Sequence, residues 1–145
     1  MKYTLELIID KPRREVWQAF MDPEMMKAWQ TSLTSIELLN GTAGQPGAVS
    51  KLMFEEKGRE FSLIERILSF QEPESIHQSY ENQFSTNTVK NSFLEQGQNQ
   101  TLWITETEYK FKTLLMKVIG PVYKKNLVAR TQRDMERFKE LVEKE

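Results

Sequence analysis

The sequence predicts an α+β domain: one strand, two short helices, six further strands and a long C-terminal helix, with one face of an antiparallel sheet covered by helix. Three observations predict it. Alternation of apolar and polar residues, the period of a half-buried strand, recurs in segments between residues 2 and 112. Short breaks separate these segments, and strands joined by tight turns run antiparallel. The period then turns helical, with Val128, Thr131, Met135, Phe138 and Val142 stepping by +3, +4, +3 and +4.

Each element has its own signal. In residues 2–10, Tyr3, Leu5, Leu7 and Ile9 alternate with Lys2, Thr4, Glu6 and Asp10, with Ile8 the exception. Pro12 suits the first position of a helix, where its missing N–H has no partner to lose. Val16, Trp17, Phe20 and Met21 give that helix one apolar side. Asp22-Pro23 ends it and starts another, with Asp22 as cap and Met25, Met26 and Trp29 as the apolar side. Residues 33–40 alternate weakly around Ile36 and Leu38, and residues 41–47 form a loop rich in glycine and proline. Strands at 48–56 and 59–70 flank a tight turn at Lys57-Gly58. Glu72-Pro73-Glu74 breaks the chain. Strands at 75–83 and 86–96 follow, then a turn at 96–99 and the last strand at 100–112. A helix over 113–143, about 46 Å long if unbroken, is bent or broken at Gly120-Pro121.

With 145 residues, the chain reads as one domain, 1–145. It has no cysteine, which excludes a disulfide scaffold, a thiolate metal site and a cysteine nucleophile. Its one histidine, His77, excludes a multi-histidine metal centre. No metal or other cofactor is expected. No run reaches the roughly 18 apolar residues of a membrane helix, so no stable membrane insertion is expected. Glu6 and Asp10 in an alternating N-terminus argue against a secretory signal, leaving the cytoplasm as the expected compartment. Net charge is −1, but residues 110–145 hold 10 basic and 5 acidic side chains. That excess reads as a solvated helix face, since no nucleic-acid module accompanies it. No nucleic-acid partner is expected, and the chain is read as a monomer or homodimer.

The pleat assigns side chains to faces. In the last strand Trp103, Thr105, Thr107, Tyr109 and Phe111 share one side, and Glu106, Glu108 and Lys110 lie on the other. The aromatic set therefore points in. A two-residue turn at Lys57-Gly58 pairs Glu56 with Arg59, Phe54 with Phe61 and Leu52 with Leu63. The same parity turns Glu65 and Ile67 inward, together with Ile76, Gln78, Tyr80, Val89, Asn91 and Phe93. It turns His77, Glu81 and Lys90 outward. The inner face is thus apolar except for Glu65, Gln78, Asn91, Thr105 and Thr107. Burying an unpaired polar group costs roughly 1–3 kcal/mol. These groups either bond one another or face a cavity.

The segment from Ile9 to Trp17, followed by Phe20, Asp22-Pro23-Glu24 and Trp29, resembles the START-like, helix-grip (SRPBCC) superfamily, in particular its bacterial polyketide cyclase/dehydrase-type branch. The element order agrees over the whole chain. The resemblance implies a seven-stranded, strongly curved antiparallel sheet gripping the last helix, with a cavity for an apolar molecule between them. It carries over no catalytic residue, because the superfamily spans carriers, cyclases, dehydratases and chaperone-activating proteins.

The first functional reading is therefore binding of a small hydrophobic or amphipathic molecule, lipid- or polyketide-like. The expected lining is Trp29, Phe54, Phe61, Gln78, Tyr80, Asn91, Trp103, Thr105, Tyr109, Met116, Tyr123 and Leu127. Trp29 is read as a gate beside the polar segment 30–32, and Met116 with the Gly120-Pro121 break as an adjustable portal. The alternatives are a cyclase- or dehydratase-type enzyme and a chaperone-type interaction domain. In the enzyme, Glu65 is the general base, desolvated among Phe54, Phe61 and Leu63. The alternative to a catalytic role is that Glu65 pairs with a basic residue such as Arg66 or lies at the mouth.

Overall fold

In the computed structural model, which describes residues 1–145, seven strands form one curved antiparallel sheet. The elements run β1 (Lys2–Ile9), α1 (Arg13–Met21), α2 (Pro23–Trp29), β2 (Leu33–Asn40), β3 (Val49–Glu56), β4 (Arg59–Gln71), β5 (Ser75–Glu81), β6 (Ser85–Glu95), β7 (Thr101–Phe111), α3 (Leu114–Ile119), a 3-10 turn (Gly120–Tyr123) and α4 (Lys124–Glu143). Strand order is β1-β7-β6-β5-β4-β3-β2. Each strand from β2 to β7 pairs with its chain neighbour, and β1 closes against β7. This is the helix-grip arrangement that the sequence implied.

The local signals act where expected, with small shifts. Asp22 caps α2 by accepting from the Glu24 N–H at 3.0 Å. Pro12 is the cap of α1 and not its first helical residue; its carbonyl accepts from the Val16 N–H at 3.1 Å. The β3–β4 turn has φ of 51° at Lys57 and 77° at Gly58, the two positive values of a primed hairpin turn. That turn sets the register Glu56↔Arg59, Phe54↔Phe61 and Leu52↔Leu63. The pairing runs unbroken to Glu65, and the one irregularity in β4 comes later, between Ile67 and Ser69. The expected strand 75–83 stops at Glu81, because the Asn82 side chain turns back to accept from the N–H groups of Phe84 and Ser85.

The C-terminal helix is broken, not bent. α3 is capped by Thr113, whose Oγ1 accepts from the Met116 N–H at 3.1 Å, and it ends after six residues. Pro121 has no N–H to continue the ladder, so the chain tightens into the 3-10 turn before α4 resumes for 20 residues. At the break, Gly120 is packed against the Phe111 ring. A Cβ built on Gly120 meets ring carbons at 2.4–2.6 Å. Gly120→Ala is expected to force the ring aside and lower stability by about 1–3 kcal/mol. Thermal unfolding measures the loss, and a shifted Phe111 ring in a crystal structure identifies its origin.

The core occupies one end of the layer between sheet and helices. Trp17 and Phe20 from α1, Trp29 from α2, Phe93 and Trp103 from the sheet, and Met135, Phe138 and Val142 from α4 are buried in one cluster. Rings of Phe138 and Trp103 lie 5.1 Å apart, and those of Phe138 and Trp29 5.4 Å apart. No helix is long and apolar enough to cross a membrane.

Candidate functional site

Beyond that core the sheet and the C-terminal segment part to leave a pocket of about 380 Å³. Phe20, Trp29, Trp103 and Met135 belong to both core and pocket, so they form its floor. Its sheet wall carries Phe54, Phe61, Leu63, Tyr80, Val89, Asn91, Thr105, Thr107, Tyr109 and Phe111. Met116, Gly120, Tyr123, Leu127, Arg130, Thr131 and Asp134 close it from the helical side. The cross-strand pairs Val89↔Thr107, Asn91↔Thr105 and Phe93↔Trp103 carry the sheet wall from pocket to core.

Of the expected lining residues, all but Gln78 lie on this pocket. Gln78 is instead buried at the next position along the same face, where its Nε2 donates to Glu65 Oε2 at 3.3 Å and its Oε1 has no partner. Glu65 is likewise inward and buried, as its parity requires, but it does not line the pocket. Its cross-strand neighbour Tyr80 stands on the wall instead. Trp29 is no gate: it is 7 % exposed and sits in the floor. The helix that ends at Trp29 turns its indole to the core, where Phe20, Trp103 and Phe138 surround it. His77 is on the outer face and exposed, as expected.

Two polar features sit in this apolar setting. In the floor, Trp103 Nε1 donates to Asn91 Oδ1 at 2.9 Å, so both groups are satisfied away from water. At the β3 end, Glu56 accepts from Ser32 Oγ at 2.6 Å and faces Arg130 and Arg133, each at 3.6 Å. The Ser32 hydrogen bond, with the two guanidinium groups, holds its carboxyl below the usual range. The Arg130 guanidinium also lies over the Phe61 ring, 5.9 Å from its centre, and Phe61 stacks on Phe54. This cluster pins the start of α4 to the β3–β4 hairpin.

Asp134, one turn after Arg130, is the charged group that the pocket treats least kindly. Its Oδ1 is buried with no hydrogen bond, 3.9 Å from Arg133 Nε. Burial raises its pKa to about 6 against the pull of Arg133 and Arg130. Between the unfolded value of about 3.9 and about 6, the folded state therefore holds more protons than the unfolded one. Stability falls as pH rises through that window and is level above it. Asp134→Asn is expected to be more stable than the wild type at pH 7 and equal to it below about pH 4. Denaturant unfolding of both proteins at the two pH values measures this, and a carbon NMR titration reads the midpoint directly.

Arg130 and Asp134 were missed as lining residues because the basic C-terminal segment reads as a solvated face. The signal was present: Leu127, Arg130, Thr131 and Asp134 follow the i, i+3, i+4, i+7 spacing of one helical face. Tyr3 belongs to the apolar half of the β1 alternation, which the sequence reading left without a site. It lines the pocket and shares a 3.0 Å hydrogen bond with Thr131 Oγ1, linking β1 to α4. Its ring stacks on Tyr109, whose hydroxyl is pushed up in pKa, chiefly by burial.

Known proteins share this outline. Residues 10–116 match the family model described as Activator of Hsp90 ATPase homolog 1-like protein. A search of curated proteins finds no match. Among solved structures, a START superfamily protein from Mycobacterium smegmatis superposes with a TM-score of 0.81 at 16% identity, covering 99% of this chain and 97% of that one. The protein TTHA0849 from Thermus thermophilus superposes with a TM-score of 0.79 at 16% identity, covering 98% and 97%. Norcoclaurine synthase from Thalictrum flavum, a point mutant in complex with a transition-state analogue, gives a TM-score of 0.72 at 13% identity, covering 98% and 93%. At these identities the solved structures show the fold; the family match supports the START-like (SRPBCC) membership read from the sequence and does not single out its polyketide cyclase/dehydrase-type branch.

Proposed function

The chain belongs to the Activator of Hsp90 ATPase homolog 1-like family, and we propose that it works as a binding protein for a small hydrophobic or amphipathic molecule, lipid- or polyketide-like, held between sheet and α4. The observation that carries this reading is the pocket itself. At about 380 Å³, with aromatic and aliphatic walls and a few convergent polar groups, it has the make-up of a small-molecule site. Phe54, Phe61, Tyr109 and Leu127 supply apolar contact, and Thr105, Thr107 and Asp134 supply orientation. A protonated Asp134 can donate to the ligand and an ionised one can accept, so affinity depends on pH near 6.

The test is titration with an apolar dye whose fluorescence rises on burial, followed by displacement with fatty and aromatic molecules. Val89→Phe fills the pocket from the sheet wall. It is expected to abolish uptake while leaving the melting temperature within a few degrees. Dye uptake unchanged in this variant, or absent from the wild type, overturns the reading.

A second reading has one observation in its favour. Glu65 is a buried carboxyl whose pKa burial raises, with the Tyr80 hydroxyl partly offsetting the rise. Tyr80 faces the pocket. Glu65 as a general base would act through that hydroxyl, moving a proton between the pocket and its own carboxylate. A chaperone-type interaction domain needs no cavity, and the open pocket favours a ligand instead.

A further inference from the structure

The stretch from Lys112 to Asn126 departs from the burial logic of the rest of the chain. α3 buries none of its residues. Leu114, Leu115, Val118 and Val122 are 79, 66, 69 and 77% exposed. No large apolar side chain outside this stretch exceeds 51%. Isolated exposed apolar residues are ordinary, but a contiguous patch marks a surface that another body covers. The patch borders the pocket: Met116, Gly120 and the half-exposed Tyr123 of the same stretch line it. On its other flank stands Phe84, 48% exposed, whose carbonyl accepts from the Lys112 N–H at 2.9 Å.

The charge around the patch is mainly positive, with Glu81 the one acid that meets its lysines. No acidic residue occurs between Glu108 and Asp134. Lys110, Lys112, Lys117, Lys124 and Lys125 are all exposed, and only Lys112 is paired, to Glu81 at 2.7 Å. An apolar helical surface rimmed by lysines is complementary to a bilayer interface carrying anionic headgroups. A second copy paired through a two-fold axis would bring the same lysines together, with only Glu81, already held by Lys112 and Arg66, to offset them.

We propose that this face docks on an anionic lipid bilayer, with α3 and the 3-10 turn at the boundary between headgroups and acyl chains and the lysines against the lipid phosphates. The mouth of the pocket then opens toward the membrane, and a hydrophobic ligand can pass between the two without crossing water. The passage rests on the binding reading above; the docking does not.

The experiment is sedimentation of the full chain with vesicles made half of phosphatidylglycerol and half of phosphatidylcholine. The protein is expected to sediment with them at low salt and to stay in solution at high salt or with pure phosphatidylcholine. Each lysine near the surface is worth roughly fivefold in partitioning, so Lys124→Glu/Lys125→Glu should lose most of the binding. Leu115→Ser/Val118→Ser should lose at least about tenfold through its apolar contact. These side chains are exposed, so unchanged melting temperatures confirm that both variants fold. Equal binding to neutral and anionic vesicles, no binding at all, or variants that bind like the wild type overturn the proposal. So does a dimer in light scattering that Leu115→Ser/Val118→Ser dissolves, since a second copy then covers the patch. Val89→Phe separates the two readings: it is expected to bind vesicles normally while failing to take up dye.

Discussion

Phe138→Ala is expected to destabilise the protein by about 3–5 kcal/mol, the largest effect of any single substitution considered. Phe138 is fully buried, on the face of α4 that meets the sheet. Its ring touches Phe20, Trp29 and Trp103 at 6.1, 5.4 and 5.1 Å between centres, so three elements lose a common partner at once. Those three rings form the pocket floor and cannot all collapse into the space, because Trp103 is held through Nε1 to Asn91. For a chain of this length the loss corresponds to a fall in melting temperature of roughly 10–15 °C. Denaturant and thermal unfolding measure it. A loss under about 1 kcal/mol would mean that α4 is held by the Glu56–Arg130 cluster and not by the core.

Glu65→Gln is expected to make the protein more stable at neutral pH, by roughly 1–3 kcal/mol, the range for an incompletely satisfied buried polar group. Glu65 is 6 % exposed, and its structural partners are the neutral Gln78 and Tyr80. With no cation beside it, burial raises its pKa. A carboxyl with a raised folded pKa lowers stability as pH climbs above its unfolded value of about 4.3. The gain from glutamine is therefore present at pH 7 and vanishes in acid, where the carboxyl is protonated in both states. Glutamine keeps an oxygen for the Gln78 donor and the Tyr80 hydroxyl, so the shape is preserved. Unfolding curves at pH 4 and pH 7 test the sign. A variant less stable than the wild type at neutral pH would reveal an ion pair, and Arg66, paired with Glu81 on the outer face, is not placed to make one. If Glu65 is retained for ligand chemistry through Tyr80, binding or turnover weakens in the same variant.

The fold was legible because its signals are local and agree with one another. Alternation placed every strand within about two residues, and Asp22 and Pro12 act within one turn of where they stand. The β3–β4 register could be read from the turn at Lys57-Gly58, since a two-residue turn leaves one alignment and no bulge intervenes before Glu65. The inward set followed from that alignment, and with it most of the pocket wall.

What the sequence by itself determined, then, is periodicity, parity and the break at Gly120-Pro121, each a property of residues a few positions apart. Only the tertiary structure decided depth along a face. Glu65, Gln78 and Tyr80 share one side of the sheet, yet only Tyr80 reaches the pocket, because depth depends on which helix passes over each position. It alone decided that Trp29 closes the floor, since that required three aromatic rings from distant segments to meet it. It placed Arg130 against the hairpin, with Glu56 and Phe61 opposite, and Asp134 on the pocket, so that a charged helix face becomes a pocket wall. It left α3 without a cover, which no count of leucines and lysines in the chain could have told from a buried helix.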